Sequence, residues 1–208
     1  TSLFTILFSL PSVASEWQNI QQMAKGQTVY FNAWGGAATI NDYISWAADE
    51  IEEKYGVTIK HVKVSDIGGV VSRILAEKSG GRIDQGSVDL MWINGENFRA
   101  MKENKLLFGP FTKKLPNYRF VDLENKPTTV FDFTVPVDNM EAPWGMAQLI
   151  FMYDSRRIKN PPKSMQDLLH YAKANPGRVT FPAPPSFHGT TFIKQALLEL
   201  INNKQALY

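Results

Sequence analysis

The sequence predicts an α/β fold built on a parallel sheet, and three observations carry that prediction. Short apolar runs rich in β-branched residues alternate with stretches whose apolar residues fall at helical spacing. A turn of Gly and small polar residues stands between each run and the helix after it. The order strand, turn, helix repeats three times between Gln27 and Met101, which implies parallel strands joined by right-handed crossovers. At 208 residues, 44% hydrophobic and 20% charged, the chain has the composition of a soluble globular protein and can bury a sizeable core.

Taken in order, Gln27–Asn32 is the first predicted strand and ends at Ala33-Trp34-Gly35-Gly36. The helix that follows places Ile40, Tyr43, Ile44, Ala47, Ala48, Ile51 and Tyr55 inward, and Gly56 stands where a left-handed stop belongs. Val57–Val64 is β-branched and reads as the second strand. Ser65-Asp66 offers cap oxygens to a helix carrying Val70, Val71, Ile74 and Leu75, which Gly80-Gly81 ends. Val88–Ile93 is the third strand and turns at Asn94-Gly95-Glu96-Asn97 into a short helix with Phe98 and Met101.

From about Leu106 to Asp138 there is no strong periodicity, and a surface loop with short elements is expected. Pro143 and Gly145 then mark a turn, and Leu149–Tyr153 is predicted to be a buried strand crossing from one lobe to a second. Beyond it, Ser164 is the natural N-cap of a helix holding Met165, Leu168, Leu169 and Ala172. Arg178–Phe181 is a further short strand, and a stiff Pro-rich loop leads to a last helix with Ile193, Ala196, Leu197, Leu200 and Ile201 on one face. The expected organisation is residues 1–15, lobe one over 16–145, and a hinge strand with the beginning of lobe two over 146–208.

Composition closes several routes. The net charge of +2 is well mixed, leaving no nucleic-acid footprint. There is no cysteine, so disulfides, thiolate metal sites and cysteine nucleophiles are excluded. Leu3–Leu10 is apolar but too short to span a bilayer, and Ser12-Val13-Ala14 suits a signal peptidase. Residues 1–15 are therefore expected to be a signal-peptide remnant and the protein periplasmic.

Four turns between strand ends and helix starts are the candidate binding elements: Trp34–Ala37, Ser65–Gly69, Asn94–Asn97 and Ser186–Thr191. Such turns aim free amides and a positive helix end at the carboxyl edge of the sheet, where open α/β sheets hold ligands. Trp34, Trp92, Trp144 and Phe187 lie beside them. Core packing is the expectation for Trp92, and exposure to a cleft for Trp34. Asp66, Glu96 and Glu141 would counter a cation, or else act as caps and solvated turn residues. His61 and His170 suit structural or surface roles, and nothing near His188 makes a triad.

These pieces, in this order, resemble the solute-binding proteins of bacterial ABC importers, of the two-lobed kind that includes binding proteins for thiamine, polyamines and ferric iron. The resemblance rests on the exported start, Phe31-Asn-Ala-Trp-Gly-Gly36 and Val88–Gly95. It also rests on Ala142–Asp154, Pro162-Lys-Ser-Met-Gln-Asp-Leu168 and the Asn-Pro-Gly-Arg to Phe-His-Gly-Thr run. It implies a type II periplasmic-binding-protein-like fold, incomplete in its second lobe because such proteins run well past this length. It further implies a small ligand held between lobes, hinge closure, and delivery to a permease in the inner membrane.

By position, lobe one would supply Trp34, Gly35, Gly36, Asp66, Asn94, Gly95 and Glu96, with Trp144 near the hinge. Lobe two would supply Ser186, His188, Gly189 and Thr190. A monomer with no cofactor, no metal and no nucleic-acid partner is expected. Helix N-termini favour an oxyanion or phosphorylated ligand, whereas tryptophans and carboxylates favour an organic cation. The alternatives are an exported α/β enzyme using His188, or a ligand-sensing domain on the same scaffold.

Overall fold

The structure is a computed structural model and describes residues 13–146, 149–183 and 186–203, with side chains from Glu16 onward. The apolar run Leu3–Leu10 and Ser12 lie outside the described residues. The chain forms two compact units, one ending at Trp144 and the other starting at Gly145.

In the first unit the elements run α1 (Val13–Ala24), β1 (Thr28–Trp34), α2 (Ala38–Tyr55), β2 (Thr58–Val64), α3 (Gly68–Ser79), β3 (Leu90–Met91) and α4 (Gly95–Glu103). The sheet has the order β2-β1-β3, and all pairs are parallel. Helical crossovers are what place sequential strands side by side in this sense. Strand β1 lies at the centre and pairs with β2 along its whole length, from Thr28 opposite Thr58 to Trp34 opposite Val64.

The period of two in β1 splits its side chains between two faces. Phe31 and Ala33 are buried with Ile44 of α2, and Ile40, Ile59 and Trp92 pack against them. Asn32, between them in sequence, is fully buried, and its Oδ1 accepts from Arg73 Nη2 of α3 at 2.7 Å. A buried amide costs least when it is so paired. Helix α2 stops where Gly56 takes the left-handed conformation at φ 65° and returns its N–H to Glu52 O.

The stretch without periodicity folds into three short 3-10 turns and a two-stranded antiparallel hairpin, β4 (Phe131–Asp132) and β5 (Val135–Pro136). This hairpin straps α4. Asp132 Oδ2 accepts from Gly95 N at 2.6 Å at the start of the helix. At the other end Lys102 Nζ reaches Asp138 Oδ2 at 2.6 Å and also bonds Pro136 O. Phe98 and Met101 of α4 are buried.

In the second unit α5 (Met165–Ala174) and α6 (Phe187–Leu200) pack together. Ser164 caps α5, its Oγ accepting from Asp167 N at 3.0 Å, and Glu199 of α6 accepts from Met165 N at 2.8 Å. Phe192 of α6 meets Phe181 at 4.3 Å and Phe151 at 6.0 Å between ring centroids.

Two predicted strands do not form. Leu149–Tyr153 has no regular structure, and its side chains from Ile150 on are exposed, Ile150 at 68% and Met152 at 89%. Arg178–Phe181 is likewise irregular. An extended apolar segment becomes a strand only when a neighbour takes up its N–H and C=O groups, and neither has a strand partner among the described residues. The third strand is shorter than its apolar run suggests, although Asp89 N to Tyr30 O and Trp92 N to Asn32 O extend its bonding at 3.4 and 2.9 Å. Among the described residues no helix is long and apolar enough to cross a membrane.

Candidate functional site at the carboxyl edge of the sheet

The turns that follow β1, β2 and β3 meet at one edge of the first unit. Gly35 extends the β1–β2 ladder by donating its N–H to Val64 O at 3.2 Å. A side chain at Gly35 would stand 2.7 Å from Lys63 Cβ, so only glycine fits that approach. At Gly36 a side chain would collide with the indole of Trp34, which folds back over it and remains half-exposed. Asn41 of α2 donates its Nδ2 to Gly35 O at 3.0 Å and so ties the helix to the turn.

Turns 65–69 and 94–97 are in contact as well. A side chain at Gly68 would lie 3.5 Å from Asn97 Oδ1. The first amide of each of the helices α3 and α4 is already engaged here. Gly68 N donates to Asp66 Oδ1 at 2.7 Å, and Gly95 N donates to Asp132 as described above. The helix N-termini of α3 and α4 therefore each hold a carboxylate of the chain itself, which complements the positive end of the helix dipole. Asp66 thus precedes the N-cap, Ile67, and takes up the first amide of α3. Glu96 is exposed in the first turn of α4, and Gly95 is buried under the ring of Phe133 with φ 58°.

Trp144 brings aromatic surface to this edge. Its ring lies 5.2 Å from that of Trp92 and 5.6 Å from that of Tyr43, the second contact edge-on. Tyr43 in turn contacts Trp46 at 5.5 Å. Trp92, one residue past β3, packs on the core, while Trp144 is 49% and Tyr43 52% exposed. The result is a run of four rings from the core to solvent.

Sequence reasoning placed Tyr43 on the inward face of α2 and passed over Trp46. Three residues apart on a helix they share a face, and that spacing was the available signal. Their meeting with Trp144, about a hundred residues on, had none.

Glu141, three residues before Trp144, is half-buried. Burial pushes its carboxyl up to about 8, and the charge of Asp132 adds to the shift. His61 Nε2 lies 3.3 Å from Ala33 O and its ring stacks on Phe31, so it serves the sheet.

The predicted residues of the second unit stand at the start of α6. Ser186 is its N-cap without a side-chain cap bond, His188 is exposed with its ring 5.6 Å from Phe187, and Thr190 donates its N–H to Ser186 O at 2.9 Å. Gly189 is buried, and a side chain there would collide with Pro182 O. That contact alone requires glycine. Among the described residues no group of three or more His, Asp or Glu is arranged to hold a metal ion.

A parallel sheet with an aromatic-lined carboxyl edge suits ligand binding, and the comparison with known proteins is consistent with that. Residues 46–206 match the family of bacterial extracellular solute-binding proteins, and the chain belongs to this family. Protein YnjB of Escherichia coli (strain K12) is similar to it, with 47% identity over 201 residues, covering 97% of this chain and 51% of that protein. The chain thus spans about half the length of this curated relative. No solved structure matches it.

Proposed function

We propose that this chain is part of the solute-binding component of an ABC importer, working in the periplasm and passing a small organic ligand to a membrane permease. Family membership supports the transport role. The single observation that carries the ligand class is the run of rings Trp92, Trp144, Tyr43 and Trp46 at the carboxyl edge, with Trp34 on the adjoining turn. Ring faces attract planar and cationic groups, and desolvation strengthens the attraction.

Of the two ligand classes the residues allow, this reading favours a planar organic cation over an oxyanion. The first amide of each of α3 and α4, a donor an oxyanion would use, donates to Asp66 and Asp132. Negative charge from these two and from Glu96 surrounds the same edge. In this reading Trp34, Gly35, Gly36, Asn94 and Trp144 contact the ligand, while Gly95, buried under Phe133, shapes the turn. Ser186, His188 and Thr190 are the further contacts proposed from the second unit, with Gly189 packed beneath them.

The test is a tryptophan-fluorescence and thermal-shift titration against aromatic cations, linear polyamines and organic phosphates. A ligand at 100 times its Kd adds about 2.7 kcal/mol of stability. Saturable quenching by an aromatic cation, lost in Trp144→Ala, is the expected result. A response to phosphates alone, unchanged in that variant, overturns the ligand class.

A further inference from the structure

A concavity in the first unit lies apart from the carboxyl edge. It lies between α1 and the segment of 3-10 turns at residues 112–123, and it shares no residue with the site described above. The groove has a volume of about 770 Å³, within the range of pockets that hold small organic molecules. Its walls are apolar: Trp17 of α1 on one side, and Leu115, Tyr118 and Val121 on the other.

Gln18 and Gln21 add neutral amides on the α1 side, and the charged groups at this groove share one sign. Lys113 and Arg119 line it and are both exposed, and none of its lining residues is acidic. Nearby carboxylates are engaged elsewhere. Glu16 pairs with Lys114 at 3.1 Å, and Asp122 accepts from the backbone N–H and side-chain Nδ2 of Asn125 at 3.0 and 3.1 Å. Among the described residues neither Lys113 nor Arg119 is in an ion pair. The Arg119 guanidinium lies 4.8 Å from the Phe120 ring centroid, which restrains the cation without neutralising it.

We propose that this groove is a ligand site of its own, taking a small amphipathic anion: an aromatic or short aliphatic body that carries one carboxylate or sulfonate. The body lies between Trp17 and the Leu115–Val121 wall, and the anionic group meets Lys113 and Arg119. Charge-assisted bonds to an unpaired guanidinium and ammonium are the stronger kind, and Arg presents paired donors that match a carboxylate. The chemistry is opposite in sign to that proposed for the carboxyl edge, so the two sites select different molecules.

Two probes of the same ring and opposite charge test it: indole-3-acetate and tryptamine, titrated into the full chain. The readout is the set of indole N–H signals of the five tryptophans in a nitrogen–proton correlation spectrum, with Trp17 assigned through Trp17→Phe. Indole-3-acetate is expected to shift the Trp17 signal saturably, and tryptamine to leave it in place. The charge reversals Lys113→Glu and Arg119→Glu together should weaken indole-3-acetate at least tenfold.

Both residues are exposed, so the fold should survive. If the double variant is unfolded, Lys113→Gln and Arg119→Gln are each expected to weaken binding several-fold. An unmoved Trp17 signal at millimolar indole-3-acetate overturns the proposal. So do equal effects of the two probes, or affinity indifferent to the charge changes. Tryptamine shifts confined to Trp34, Trp46, Trp92 or Trp144 agree with it, and concern the carboxyl edge.

Discussion

Asp132 and Gly95 stand 37 residues apart in sequence and meet through a 2.6 Å hydrogen bond, the carboxylate accepting from the amide that opens α4. The same strap is fastened at the far end of the helix by Lys102 and Asp138. A negative group thus sits at the positive end of the helix and a positive one at its negative end, both favourable for the helix dipole. Asp132→Ala should lower stability by about 1–2 kcal/mol, the usual range for losing a helix N-terminal acceptor. Urea unfolding measures it, and an unchanged midpoint would show that water replaces the carboxylate at no cost.

The same aspartate bears on Glu141, whose carboxyl is held up to about 8 by burial first and by Asp132 second, against an ordinary 4.5. Between those two values the folded chain keeps a proton that the unfolded chain has released. Stability from this group therefore falls as pH rises from about 4.5 to about 8, and levels off above. Discounted for the solvent that still reaches the group, the loss is about 1–2 kcal/mol. Melting temperatures of the natural chain and Glu141→Gln should converge at pH 4.5 and part at pH 8, the variant melting higher. Parallel curves would remove Glu141 as the cause.

Asn32 offers a different test. Its buried Oδ1 relies on Arg73, so Arg73→Met keeps the apolar stem and leaves the acceptor unsatisfied. An orphaned buried acceptor costs about 1–3 kcal/mol. Thermal or urea denaturation should show a loss in that range, and a smaller one for Asn32→Leu combined with Arg73→Met, where both partners are apolar.

Gly189 tests close packing in the second unit. A single methyl there meets Pro182 O and the backbone of Ala183, and backbone cannot move aside as a flexible side chain does. Gly189→Ala should cost about 1–3 kcal/mol through overpacking, seen as a lower urea midpoint. Gly177→Ala, where a methyl meets open space but φ is 76°, should cost about 1 kcal/mol through backbone strain alone.

These residues also show where sequence reading reaches and where it stops. Helices α2, α3, α5 and α6 carry their own signals: apolar spacing, Gly56 as a stop, and Ser164 as a cap. The Gly-rich turns are equally legible, because a close approach such as Gly35 to Lys63 admits no other residue. Strands are less so. Leu149–Tyr153 and Val57–Val64 both read as strands, yet among the described residues only the second has a neighbour to complete its hydrogen bonds.

The hairpin at Phe131–Pro136 left no periodicity because each strand is two residues long. The capping of α4 by Asp132 depends on a contact made across the fold, as does the burial that shifts Glu141. Tyr43 was placed correctly on its helix but on the wrong side of the solvent boundary. Trp144 supplies its partner from another part of the chain.

The unequal pairing of β1 sets an order of opening. It is matched to β2 over seven residue pairs and to β3 over two. A segment held by fewer bonds exchanges its amide hydrogens through smaller, cheaper fluctuations. In deuterated water the amide of Trp92, bonded to Asn32 O beside the short β3 pairing, should therefore label well before those of Lys60, Val62 and Val64, the alternate β2 amides that face β1. The margin of the sheet that supports Asn94 and Trp144 is then the part that breathes, while its centre stays closed.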